Sequence, residues 1–166
     1  MPTSPESPLI RFDTKVQPDW LDYNGHMNVA YYTLAFDQAG EAFFSRVGLS
    51  QKHAEKTGNS WMVLEAHLTY QQEAMPQDEL EIRSRILGLS GKRLQLFQTM
   101  FRKADSSLLA SNEQMILHVN LQQRRSLPFS APIMERLQTL YEKQRHLEYP
   151  AEAGRCIDMK ATRPRP

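Results

Sequence analysis

The sequence predicts an α+β fold in which a curved antiparallel sheet wraps one long helix. Three observations predict it. An apolar stripe of helical period runs from Val29 to Val47, where Tyr32, Phe36, Ala39, Phe43 and Val47 follow at spacings of four, three, four and four. Four later segments, residues 60–72, 79–89, 93–103 and 108–120, alternate with period two. Turn signals between neighbouring segments are short, so an antiparallel meander is expected.

Taken in order, residues 1–8 are rich in Pro and Ser and are expected to be disordered. Over residues 9–16, Ile10, Phe12 and Thr14 alternate with Arg11, Asp13 and Lys15, a strand that Pro18 ends. Ala35, Ala42 and Phe44 widen the stripe of the long helix, as suits a helix enclosed by a sheet. Gly48 is its expected C-terminal stop, and Gly40 is expected to mark close approach by another backbone. Residues 50–59 read as a polar linker. In the strand over 60–72, strict alternation puts Trp61, Val63, Glu65, His67 and Thr69 on one face and Met62, Leu64, Ala66, Leu68 and Tyr70 on the other. Pro76 breaks that run, and turns fall at 89–92 and 104–107. Residues 121–129 read as a loop, and 131–146 as a more polar helix with Pro132 in its first turn. Residues 9–146 thus form one expected domain, with a loosely ordered tail over 147–166.

Composition removes several function classes. The 166 residues carry a net charge of +1 with no long basic run, which gives no reason to expect nucleic acid as a partner. A single cysteine, Cys156, excludes an internal disulfide framework and a cysteine-based zinc cluster. The five histidines (His26, His53, His67, His118 and His146) have no metal-ligand spacing, so no metal is expected. The serine-hydrolase elbow, the dinucleotide fingerprint and the phosphate-binding loop are all missing, so no cofactor is expected either. Nothing has the length of a membrane span or the apolar core of a signal peptide, and the expected location is cytoplasmic.

The chemistry-bearing stretch is PDWLDYNGHMNVAYY, residues 18–32. Gly25 permits a tight turn, and Asn28 suits the N-cap of the helix that follows. A carboxylate just before a helix start can serve as nucleophile or base at a carbonyl, while the outward N–H groups stabilise the oxygen that gains charge. An equally good account has Asp22 simply capping a turn. His26 is either an acid or hydrogen-bond donor to a substrate, or a histidine bonded to backbone.

The run Asp22-Tyr23-Asn24-Gly25-His26-Met27-Asn28-Val29-Ala30-Tyr31-Tyr32, the helix it opens and the strands behind it resemble the hotdog-fold acyl-CoA thioesterases of the 4-hydroxybenzoyl-CoA thioesterase type. The resemblance spans roughly residues 9–129. Residues 19–28, with Lys92-Arg93-Leu94-Gln95-Leu96-Phe97 and Glu113-Gln114-Met115-Ile116-Leu117-His118-Val119, are similar to the betainyl-CoA thioesterases of bacterial carnitine catabolism. The resemblance implies hydrolysis of a small acyl-CoA, with betainyl-CoA going to glycine betaine. It implies Asp22 as the catalytic carboxylate, attacking directly or through water, and the Val29 backbone N–H as the group that polarises the thioester carbonyl. It also implies a homodimer or homotetramer with the site between subunits. Asn28 either orients water or the thioester, or simply serves as the N-cap.

A trimethylammonium group donates no hydrogen bonds, so its recognition falls to aromatic faces and carboxylates. Trp20, Tyr23, Tyr32, Trp61 and Tyr70 are the candidate aromatics, and Glu65 and Asp37 the candidate counter-charges. Core filling accounts for each ring as well. The competing readings are a thioesterase for an aromatic or medium-chain acyl-CoA, and a non-catalytic acyl-CoA-binding protein of the same fold.

Overall fold

The computed structural model describes residues 8–159. The expected disorder of residues 1–8 falls, Pro8 apart, outside the described residues, as does the tail beyond Met159. The elements are β1 (Ile10–Lys15), a single 3-10 turn (Pro18–Trp20), α1 (Val29–Val47), α2 (Gln51–Thr57), β2 (Asn59–Tyr70), β3 (Glu79–Leu89), β4 (Arg93–Arg102), β5 (Leu108–Asn120), β6 (Arg125–Ser126) and α3 (Ala131–Gln144). All strands pair antiparallel in one sheet of order β1-β3-β4-β5-β2, with β6 beside the end of β5.

The five apolar positions that predicted α1 are all buried, with Ala35 and Phe44. The N-terminal half of the helix packs Tyr32, Ala35, Phe36 and Ala39 against Leu80, Ile82, Met100 and Ala110 of the sheet. Its C-terminal half packs Phe43, Phe44 and Val47 against Ile86, Leu94, Leu96 and Ile116, with Ile133 and Leu137 of α3 closing that end. Gly48 stops the helix at φ 94°, and the Leu49 N–H reaches back to the Phe44 carbonyl at 2.8 Å. Mid-helix, the Phe36 carbonyl accepts from Gln98 Nε2 at 3.1 Å, and Gln98 Oε1 accepts from Asn112 Nδ2 at 3.1 Å. This buried polar row fixes where α1 lies along the sheet, and so where its first turn comes to rest.

Four details depart from the sequence reading. The linker after α1 contains α2, a short helix with Ser50 capping its start and Gly58 its end. Within residues 121–129, β6 adds two residues of pairing to β5. Gly40 faces the ring of Trp61, with 3.8 Å from its would-be β-carbon to Cη2, rather than another backbone. The meander holds only for β3, β4 and β5, because β2 pairs with β5 and not with β3. Residues 71–78 therefore cross from one side of the sheet to the other.

The fifth departure bears on substrate contacts. The register of β2 against β5 shifts between Val63 and Glu65, a bulge that breaks strict alternation. Partners directly opposite share a face, so Trp61, Val63, Ala66, Leu68 and Tyr70 look toward α1, while Met62, Glu65 and His67 look away.

His118 is buried, stacks on Phe129 and donates from Nδ1 toward the Leu127 and Pro128 carbonyls at 3.0 and 3.1 Å. Burial pushes its pKa below the ordinary 6.5, outweighing the two backbone bonds. Between 6.5 and that lower value the unfolded chain binds more protons, so His118 costs stability as pH falls through that window. Urea unfolding at pH 7.5 and 5.5 should show this loss shrink in His118→Gln. An equal loss in both proteins would remove His118 as its source.

Candidate active site

The loop before α1 folds on itself because of its own side chains. Gly25 adopts φ 82°, and a β-carbon there would meet nothing within 4 Å, so the demand is conformational rather than steric. The Gly25 N–H reaches the Asp22 carbonyl at 3.0 Å, and the Asn24 N–H reaches Asp22 Oδ1 at 2.8 Å. The Asp22 N–H closes the loop on the His26 carbonyl at 3.0 Å. Asp22 is thus held half-buried, with Oδ1 in a turn.

Asn28 caps α1. Its Oδ1 accepts from the Ala30 N–H at 2.9 Å, and its carbonyl from the Tyr31 N–H at 3.0 Å. The first helical residue, Val29, keeps an N–H with no acceptor among the described residues. That N–H is the group a carbonyl oxygen would need.

Residues 71–78 cross this helix start. The Met27 N–H donates to the Ala74 carbonyl at 2.9 Å, and the Ala74 N–H to Tyr32 Oη at 2.9 Å. The loop and the crossover border an open pocket of about 390 Å³, lined by Asp22, His26, Met27, Val29, Tyr32, Tyr70 and residues 71–73. Tyr32 and Tyr70 meet edge to face, 5.2 Å between centroids. Burial is the main cause pushing both phenols above their ordinary pKa, so the rings stay neutral. His26 sets Nδ1 3.2 Å from the Met27 carbonyl, which can only accept, and turns Nε2 toward Glu73 Oε1 at 3.8 Å.

Of the residues singled out from sequence, Asp22, His26, Val29, Tyr32 and Tyr70 come together here. The others lie elsewhere. Asn28 is committed to the helix cap. Trp20 is buried, stacked on Tyr31 at 5.5 Å, and Tyr23 is 98% exposed. Trp61 stacks on Phe44 at 4.2 Å in the other half of the core, and the bulge turns Glu65 to the face away from α1. Asp37 is exposed on α1. Glu73, Gln71 and Gln72 went unnoticed because only the crossing of the sheet brings them to the helix start. Among the described residues, no group of three or more His, Cys, Asp or Glu is placed to hold a metal.

The geometry of an acid and an open helix N–H on one pocket invites comparison with known proteins. A model of the thioesterase-like superfamily matches residues 16–137. The chain belongs to that superfamily. This thioesterase is 36% identical to the betainyl-CoA thioesterase of Pseudomonas aeruginosa over 155 residues, 93% of this chain and 98% of the relative. It is 32% identical to the L-carnitine dehydrogenase/betainyl-CoA thioesterase of Rhizobium meliloti, covering 92% of this chain but 31% of that longer protein. A Staphylococcus aureus protein solved in complex with CoA superposes with a TM-score of 0.88 at 28% identity, over 95% of this chain and 99% of that one. The 1,4-dihydroxy-2-naphthoyl-CoA thioesterase of Synechocystis gives 0.71 at 18% identity over 78% and 96%, a likeness of fold. The fold of this thioesterase is the hotdog fold, and its class of reaction is thioester hydrolysis. Among the described residues no helix is long and apolar enough to cross a membrane.

Proposed function

We propose that this thioesterase hydrolyses betainyl-CoA to glycine betaine and CoA, with the acyl group in the pocket at the start of α1. The observation that carries the acyl group is the 36% identity to the Pseudomonas aeruginosa betainyl-CoA thioesterase, end to end on both chains. Asp22 acts on the thioester carbonyl as nucleophile or as base of an attacking water. The Val29 N–H receives the oxygen that becomes negative, reinforced by the helix start. Collapse breaks the C–S bond and releases the CoA thiolate. If Asp22 has attacked directly, water then hydrolyses the acyl–Asp22 anhydride to release the acid and restore the carboxylate. Because a thiolate leaves readily, one carboxylate and one oxyanion donor suffice. His26 lines the pocket as a hydrogen-bonding group, and Asn28 serves by holding the first turn of α1 in place.

Residues 9–146 work as one domain, in the cytoplasm, as a homodimer or homotetramer. The edge strand β2 supports assembly, since Met62, Val63 and Leu64 are 39%, 41% and 55% exposed, and an apolar open edge favours pairing with another chain. The CoA complex of the Staphylococcus aureus protein supports CoA as the carrier.

The test is thiol release from betainyl-CoA, a medium-chain acyl-CoA and an aromatic acyl-CoA. The highest kcat/KM is expected for betainyl-CoA. Preference for either neutral acyl group would keep the reaction and overturn the substrate. No release from any of them would favour a binding protein.

A further inference from the structure

Resting on that reading, we infer that Glu73, in the crossover between β2 and β3, is the counter-charge that selects a quaternary ammonium acyl group. In a betainyl thioester the nitrogen is one methylene from the reacting carbonyl carbon. The N–C–C geometry is that of a peptide backbone, so the two atoms are about 2.5 Å apart. Whatever recognises the cation must therefore share a pocket with Asp22 and the Val29 N–H. Glu65 and Asp37 do not. Glu73 lines that pocket.

The backbone of Glu73 is fixed without help from its side chain. Arg102 Nη2 donates to the Glu73 carbonyl at 2.7 Å, and the adjoining Ala74 is held from both its N–H and its carbonyl. Arg102 contributes little positive charge to the pocket, because its guanidinium is also engaged by Asp78 at 2.8 Å and Asp105 at 3.1 Å. The Glu73 carboxylate lies beside the His26 ring, with Oε1 3.8 Å from Nε2, at the wall of the pocket.

The pocket is built for a cation in other respects. Its lining contains two carboxylates, Asp22 and Glu73, and neither lysine nor arginine. Tyr32 and Tyr70 add two neutral aromatic rings crossed at 83°. An ammonium carrying three methyl groups is held by π faces and fixed negative charge, without hydrogen bonds. Asp22 is occupied by the chemistry, which leaves Glu73 for recognition. A neutral acyl group of the same shape would gain nothing from it.

The experiment compares betainyl-CoA with 3,3-dimethylbutyryl-CoA, in which carbon replaces the nitrogen, using the full chain and its Glu73→Gln and Glu73→Asp variants. The unaltered chain is measured first. Failure to hydrolyse betainyl-CoA there overturns the substrate reading, and the inference with it. With that activity in hand, Glu73→Gln is expected to lower kcat/KM for betainyl-CoA roughly ten-fold, chiefly through KM, and to leave the neutral substrate unchanged. Glu73→Asp should recover part of the loss. An equal loss on both substrates, or no loss on either, would overturn the role of Glu73 and leave the substrate reading standing. Thermal unfolding of each variant guards against a folding effect, and the side chain is 68% exposed, so unchanged stability is expected.

Discussion

Asp22→Asn is expected to lower kcat for thioester hydrolysis by about 10²–10⁴-fold while leaving the fold and its stability in place. Asparagine is the informative replacement. Asp22 has two duties, one structural, since Oδ1 accepts the Asn24 N–H at 2.8 Å. An amide oxygen keeps that bond and preserves the turn, but it carries no charge and is a poor nucleophile and base. Alanine would remove both duties and confuse them. If Asp22→Asn kept near-normal kcat and unfolded at the same temperature, the carboxylate would be a turn residue only, and the pocket would need another source of chemistry.

Phe44→Ala is expected to be the most damaging substitution for the fold, at about 3–5 kcal/mol. Phe44 is fully buried, stacked on Trp61 at 4.2 Å and edge-on to Phe43 at 5.1 Å. Removing the ring leaves a cavity between helix and sheet that Trp61, anchored in β2, cannot fill. For a chain of this size the loss corresponds to a fall in Tm of about 10 °C or more. The pocket lies at the other end of α1, so kcat measured well below the transition should hold near its normal value. A loss under about 1 kcal/mol would mean that the C-terminal half of α1 is not the core element described.

The contrast between these two residues marks what was legible in the sequence. The stripe from Tyr32 to Val47 announced α1 because a period of 3.6 is written directly into residue order. The turn at Gly25 and the cap at Asn28 were legible for the same reason, being local chemistry. The order of the strands was not, since β2 pairs with β5 across nearly fifty residues of chain. The faces of β2 were misread because one bulged residue inverts everything beyond it, and alternation alone carries no sign of a bulge. That inversion is why Glu65 looks away from α1. Trp20 and Tyr23 flank Asp22 in sequence, yet one is buried beneath the loop and the other points to solvent. Glu73 was hidden for the opposite reason, being 51 positions from Asp22 and joined to it only by the crossover.

In the proposed reaction, one small pocket hydrolyses a thioester whose acyl group carries a fixed positive charge. That reaction is tested most directly by the ratio of kcat/KM for betainyl-CoA to that for 3,3-dimethylbutyryl-CoA in the unaltered chain. The two acyl groups have the same shape and differ in charge alone. A ratio of about ten or more is predicted, as expected of a cation held by π faces and carboxylates. A ratio near one, or a preference for the neutral acyl group, would contradict the account.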